Sequence, residues 1–229
     1  MPPSFPCPPW SNLPRAGLGR LRERWLCRGG PWKADLSLLR LGGEQAVLKD
    51  FSAKSPMVRF IGRAQVAREA RVYHRLAGLP GVPALLARPS PESLLIAFVE
   101  GRRLSKERGA ADAALLAERL QALVEEIHGR GVAHVDLRGR DNILVDPGRR
   151  LWVLDFGASW LRGQGGVPRR WFFNLGCFID RAAVLKWRLL LAPERVGPGE
   201  RSRHESFRRL RRLWPFNLKR NPRAHARPR

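Results

Sequence analysis

Apolar and polar positions change their period along this 229-residue chain, and each change marks an element. Residues 24–27 read as a short first strand. Residues 36–41 and 44–51 alternate in the manner of strands, and Gly42-Gly43 between them predicts a hairpin with a tight turn. From 59 to 77 the spacing becomes helical, with Val66, Ala70, Tyr73 and Ala77 on one stripe. Glu69 falls inside that apolar face. Pro80-Gly81-Val82-Pro83 ends the helix. A second strand pair is expected at 84–87 and 94–99, around Pro89 and Pro91, with Glu100-Gly101 as a hinge. A long helix follows over 110–128, its apolar face formed by Leu116, Leu120, Leu123, Val124 and Ile127. Gly129 and Gly131 break it. Residues 143–145 and 151–154, joined through Asp146-Pro147-Gly148, predict another hairpin. A linker over 163–170 and a helix over 172–191 complete the pattern. No internal repeat occurs.

This order predicts an α+β fold in two lobes. A proline-rich arm (1–20) precedes a β-rich N-lobe with one inserted helix (21–99). A shortened helical C-lobe (100–199) and a basic tail (200–229) follow.

Composition narrows the picture. A hydrophobic fraction of 44% supports a real core. Cys7, Cys27 and Cys177 are far apart and form no CxxC, so reduced cytosolic thiols are expected. The proline-rich first twenty residues resemble neither a signal peptide nor a spanning helix. The apolar runs at 94–99 and 182–192 are too short or too interrupted by charge to cross a bilayer. A cytoplasmic protein, soluble or peripheral on the inner membrane, is expected.

The net charge of +23 favours polyanionic partners: nucleotide, nucleic acid or an anionic membrane. Residues 200–229 hold eleven Arg or Lys against two Glu. There Phe207, Leu210 and Leu213 or Trp214 recur at helical spacing, with Arg208, Arg209, Arg211 and Arg212 between them. Such a helix suits an anionic membrane surface, nucleic acid, or packing on the body with a solvated basic end.

Candidate chemistry lies at 134–157. His134-Val135-Asp136 follows the helix break, Asn142 leads into an apolar strand, and Asp155-Phe156-Gly157 follows a second one. The thirteen residues from Asn142 to Asp155 put both at one hairpin end, where they can bind one metal cluster. A loop carboxylate at Asp136 suits a base for an attacking hydroxyl, and the Asn142/Asp155 pair suits Mg²⁺ on ATP phosphates. Each Asp has an ordinary rival role as a turn or capping residue. Lys49, on a half-buried strand, needs an anion or must turn to solvent. ATP phosphates and Glu69 would both serve it.

On these residues the segment 49–157 resembles the protein-kinase-like superfamily, nearest to the bacterial lipopolysaccharide-core (Kdo/WaaP-type) kinases and the Rio-like atypical kinases. The resemblance implies a two-lobed kinase fold with ATP in the cleft. It implies that Lys49 holds the phosphates, Glu69 positions Lys49, Asp136 accepts the substrate proton, and Asn142 and Asp155 bind Mg²⁺. The expected activity is an ATP-dependent kinase acting on a sugar or glycolipid hydroxyl, such as lipopolysaccharide core. A Rio-like serine/threonine protein kinase and a catalytically weak scaffold on nucleic acid or membrane are the alternatives.

Three departures stand out. Asn142 follows Asp136 by six residues, where the family has five. An extra residue at Gly139 or a metal role for Asp141 would account for it, and the strand directly after Asn142 favours the first. Arg28-Gly29-Gly30-Pro31-Trp32 replaces a full glycine-rich loop, leaving Gly29 and Gly30 to cover phosphates, helped by Arg28 or Lys33. Ala192-Pro193-Glu194 lies thirty-seven residues past Asp155, too near the end for the usual helices to follow. Asp180 is expected either to brace the catalytic loop or to face solvent.

Overall fold

The computed structural model describes residue 10 and residues 15–105, 110–139, 141–163 and 167–212. After a single helical turn, α1 (Arg15–Leu18), come β1 (Arg22–Cys27), β2 (Asp35–Leu41) and β3 (Glu44–Asp50). Gly42 and Gly43 both take positive φ, at 56° and 88°, so a two-residue turn joins β2 to β3 in register Leu41↔Glu44. The helix α2 (Pro56–Arg75) then crosses to β4 (Leu85–Ser90) and β5 (Ser93–Ala97). The five strands form one antiparallel sheet in the order β1-β2-β3-β5-β4. Pro89 sits in β4, at the sheet edge, where its missing N–H breaks no ladder.

Strand alternation sorts the side chains of β3. Ala46 and Leu48 join Leu39 and Leu95 beneath Trp10 and Leu18. Lys49 is one residue on and therefore points the other way, toward α2. Its cross-strand neighbour Leu94 belongs to the core cluster shared with Val58, Val66 and Tyr73 of α2.

The second half holds the two-residue β6 (Arg102–Arg103), α3 (Ala110–Gly129), β7 (Val132–Ala133), β8 (Ile143–Val145), β9 (Leu151–Val153) and β10 (Trp160–Leu161). The helices α4 (Val167–Leu191) and α5 (Pro198–Arg212) follow. β6, β8 and β9 form one small sheet, and β7 pairs with β10 in another. The largest core cluster runs continuously from Phe51 and Tyr73 through Leu116 and Leu120 to Val153, Phe156 and Trp187.

Several boundaries differ from the sequence pattern. α2 begins at Pro56, a residue preorganised for the first helical turn. It ends at Arg75, and Ala77 lies exposed in the turn before Gly78, whose φ is +72°. α4 begins at Val167, five residues before the expected start. Ala192-Pro193-Glu194 lies where α4 ends, and Pro193–Arg195 forms a single 3₁₀ turn.

The tail pattern is partly visible. Phe207, on α5, packs edge-on against Phe178 of α4 with ring centroids 5.4 Å apart. The Arg138 guanidinium lies 5.7 Å from the same ring. At Phe207, therefore, the tail packs on the body. The side chains of 208–212 and everything from 213 on, including Leu210, Leu213 and Trp214, lie outside the described residues. Among the described residues no helix is long and apolar enough to cross a membrane.

Candidate active site

Lys49 reaches from β3 to two carboxylates. Its Nζ donates to Glu69 Oε2 at 2.8 Å and to Asp155 Oδ1 at 2.8 Å. Glu69 is 1% exposed, because the inward face of α2 carries it among Val66, Ala70 and Tyr73. Asp155 is 58% exposed at the end of the β9 strand. Burial works against the charge of Lys49, yet Glu69 and Asp155 outweigh it and hold the ammonium above the usual lysine range. At Asp155, partial burial also opposes charge. The Lys49 ammonium and the Gly157 N–H more than offset that, keeping the carboxyl below the usual aspartate range.

Asp155 adopts the left-handed conformation, φ 57° and ψ 74°. The chain then turns so that Phe156 enters the core. Its ring meets Tyr73 edge-on at 5.3 Å and His134 at 4.9 Å. Gly157 leaves no space for a side chain: a Cβ there would sit 2.7 Å from Gln65 Nε2 and 3.2 Å from Lys49 Nζ. The Gly157 carbonyl accepts from Arg68 of α2.

The hairpin brings Asn142 beside Asp155. Leu154 N donates to Asn142 O at 2.9 Å, one residue before Asp155. Asn142 Nδ2 donates to the backbone oxygen of Asp136 at 2.8 Å and to its Oδ2 at 3.1 Å. Asp141 takes a different direction and pairs with Arg103 at 3.1 Å.

Asp136 is exposed on a loop whose backbone is held from below. Asp180 of α4 is fully buried and accepts from His134 N and Val135 N, each at 2.7 Å, and from His128 Nε2 at 3.0 Å. That resolves the two expectations for Asp180 in favour of the brace. The brace holds Val135 at φ +71°, a conformation that β-branched residues avoid. His134 Nε2 donates to Leu154 O at 2.8 Å, linking the loop to the hairpin. Trp187 Nε1 and Lys186 Nζ donate to the carbonyls of Leu137 and Arg138 at 2.9 and 2.7 Å.

The loop between β1 and β2 is tied from inside. Gly29 N donates to Asp35 Oδ1 at 2.8 Å, and Lys54 Nζ donates to the same oxygen at 2.8 Å and to Gly29 O at 3.0 Å. The Gly29 amide is therefore engaged within the loop, and a Cβ there would lie 2.2 Å from Ala34 O. Gly30 carries no such crowding. Neither Asp35 nor Lys54 stands in a pattern the sequence exposes, since they are nineteen residues apart on unrelated elements. The same holds for Arg68, which an exposed helix face would have absorbed without comment.

These residues lie where a β-sheet with one crossing helix meets a helical half. No protein-family model matches the chain. It is 29% identical over 115 residues to a probable casein kinase I homologue of Encephalitozoon cuniculi, covering 45% of this chain and 36% of that protein. Two structures of the Rio2 kinase of Chaetomium thermophilum superpose on 83% of it. One gives a TM-score of 0.57 at 17% identity, with 65% of the Rio2 chain covered. The other, an ADP/Mg²⁺-phosphoaspartate complex, gives 0.54 at 17% identity, with 64% covered. The chain has a protein-kinase-like fold. It spans less than two thirds of each of these proteins. In kinase-like terms, the sheet with α2 is the N-lobe and α3 to α5 form a short helical C-lobe.

Proposed function

We propose that the protein is an ATP- and Mg²⁺-dependent phosphotransferase of the Rio-like serine/threonine kinase type. One observation carries the reading: Lys49 spans Glu69 and Asp155, and Asn142, paired through the hairpin with the residue before Asp155, holds Asp136. The neighbours' names, Rio2 kinase and casein kinase I homologue, support the same activity.

The donors fit the cation. Asp155 and Asn142 offer hard oxygen atoms, which Mg²⁺ prefers, and Mg²⁺ commonly binds through one or two such groups plus phosphates and water. Among the described residues no group of three or more His, Cys, Asp or Glu side chains could hold a metal alone. When bound, Mg·ATP supplies the phosphoryl group and the charge neutralisation for its transfer.

The chain's own residues do the rest. Lys49 stays charged and meets phosphate oxygens, and Glu69 holds it from the helix side. Asp136 faces solvent, where an acceptor hydroxyl can approach, and takes its proton. Asn142 Nδ2 fixes the Asp136 carboxylate, and Asp180 fixes the backbone on which it rides. Gly30 is the glycine of the reduced loop with space to approach phosphate.

A sugar or glycolipid acceptor has less behind it. No relative named above carries such a substrate in its name, and Phe207, the start of the stripe meant for an anionic membrane, packs against Phe178. A scaffold without catalysis would not need a charged lysine between a buried carboxylate and an exposed one.

The test is phosphate transfer from labelled ATP to a serine/threonine protein panel, with a soluble sugar acceptor alongside. Protein labelling is expected. Asp136→Asn should lower turnover by about 10²–10⁴-fold while keeping nucleotide affinity. Turnover near the parental rate would remove Asp136 from this role. Sugar labelling without protein labelling would restore the glycolipid reading.

A further inference from the structure

Five arginines lie along α2, and they are not alike. Arg59 and Arg63 both end on Glu92, at 2.9 and 2.8 Å. Arg75 donates to the carbonyl of Arg162 at 3.0 Å. Arg68 and Arg71 form no ion pair among the described residues. Arg68 gives one Nη2 to the Gly157 carbonyl, and its Nε is buried with no partner. Arg71 is exposed.

Both arginines line one cleft of about 280 Å³. Its other walls are aromatic and apolar: Trp160 and Leu161 of β10, and Phe172 and Phe173 of α4. Trp160 and Phe172 meet edge-on with centroids 5.9 Å apart. The Arg162 guanidinium lies 5.9 Å from the ring of Phe173. Two adjacent guanidiniums with no carboxylate partner repel each other. A bound oxyanion relieves that repulsion, and the guanidinium fork matches phosphate geometry. The aromatic walls add a second requirement, since an anion alone would leave them wet.

We propose that this cleft binds a phosphate monoester carried on an aromatic or apolar body. Arg68 and Arg71 meet the phosphate, and Trp160 and Phe172 meet the body. The site lies outside the Lys49–Asp155 cleft and does not rest on the phosphotransferase reading. Its position gives it leverage nonetheless. α2 also carries Glu69, and β10 pairs with β7, which leads directly into His134 and Asp136. An occupant would therefore tie the helix of Glu69 to the strand before the catalytic loop.

Phenyl phosphate and inorganic phosphate are the probes, measured by titration calorimetry on the full chain at low salt. Phenyl phosphate should bind at one site about tenfold tighter than inorganic phosphate, because its ring is removed from water. Arg71→Ala should weaken it by about tenfold or more, the scale of a lost charge-assisted contact. The substitution removes an exposed side chain from mid-helix and raises helix propensity, so the fold should persist. Arg71→Lys should recover part of the affinity. Lys49→Ala and Arg24→Ala should leave it unchanged. Several results would overturn the site. An unaltered affinity in Arg71→Ala would do so directly. A loss in Lys49→Ala would place the probe in the nucleotide cleft, and an equal loss in Arg24→Ala would mean only a diffuse positive field. Equal affinity for the two probes would remove the aromatic walls from the account.

Discussion

At Asp155 one carboxylate answers to two partners. It caps the turn that follows, accepting from Gly157 N at 3.3 Å, and it accepts a hydrogen bond from Lys49 Nζ at 2.8 Å. Because its folded value lies below the unfolded one, about 3.9, the stability from this pairing is complete above that pH. It is lost as pH falls through the lower folded value. Asp155→Asn should therefore flatten the acid limb of a melting-temperature profile below about pH 4. It should also abolish Mg²⁺-dependent nucleotide binding. An unchanged acid limb would mean that the Lys49 contact adds nothing to folding. Lys49, Glu69, Asp136, Asn142 and Asp155 could be singled out because spacing betrays them, and the structure brings them together. Asp180 was visible as an acidic residue in an apolar helix, but only packing shows which way it points. Asp35, Lys54 and Arg68 were silent, since side-chain pairings between distant elements leave no period.

Among the elements, α2 shows best what a periodic pattern can and cannot give. Its stripe of Val66, Ala70 and Tyr73 is buried as the spacing predicts, and Glu69 lies on the same face. Its ends were misplaced because they depend on Pro56 and Gly78, whose effects are conformational and not periodic. Gly62 is a further surprise: it is buried where the helix passes Phe51, and a Cβ there would lie 2.6 Å from that ring. Gly62→Ala gains helix propensity but overpacks this contact, and overpacking should win by about 1–3 kcal/mol. Urea denaturation checks the sign. A more stable variant would show that Phe51 can move aside. The short strands β6, β7 and β10 escaped the sequence because two residues are too few to alternate. The hairpin around Gly42-Gly43 was legible because turn chemistry and alternation agree there.

For the molecule as a whole, one core runs through both halves, so the cleft is built on shared packing. The whole sequence carries a net charge of +23. The α5 helix is the point where charge and packing give opposite expectations. If Phe207 were a lipid anchor, Phe207→Ala would weaken binding to anionic vesicles and leave the melting temperature unchanged. Its contacts with Phe178 and Arg138 predict the reverse: a lower melting temperature and vesicle binding like the parent's. Co-sedimentation and thermal melts on the same preparations separate the two.

Val135 has an implication for variation. Asp180 holds this β-branched residue at φ +71°, a conformation that costs on the order of 1–3 kcal/mol. Glycine or asparagine would adopt it more easily. A mutant library screened for soluble expression should enrich both at position 135, and the same library screened for turnover should deplete them, because an easier backbone holds Asp136 less firmly. Selection for folding and selection for chemistry would then pull one codon in opposite directions, and sequencing the two pools would measure the conflict.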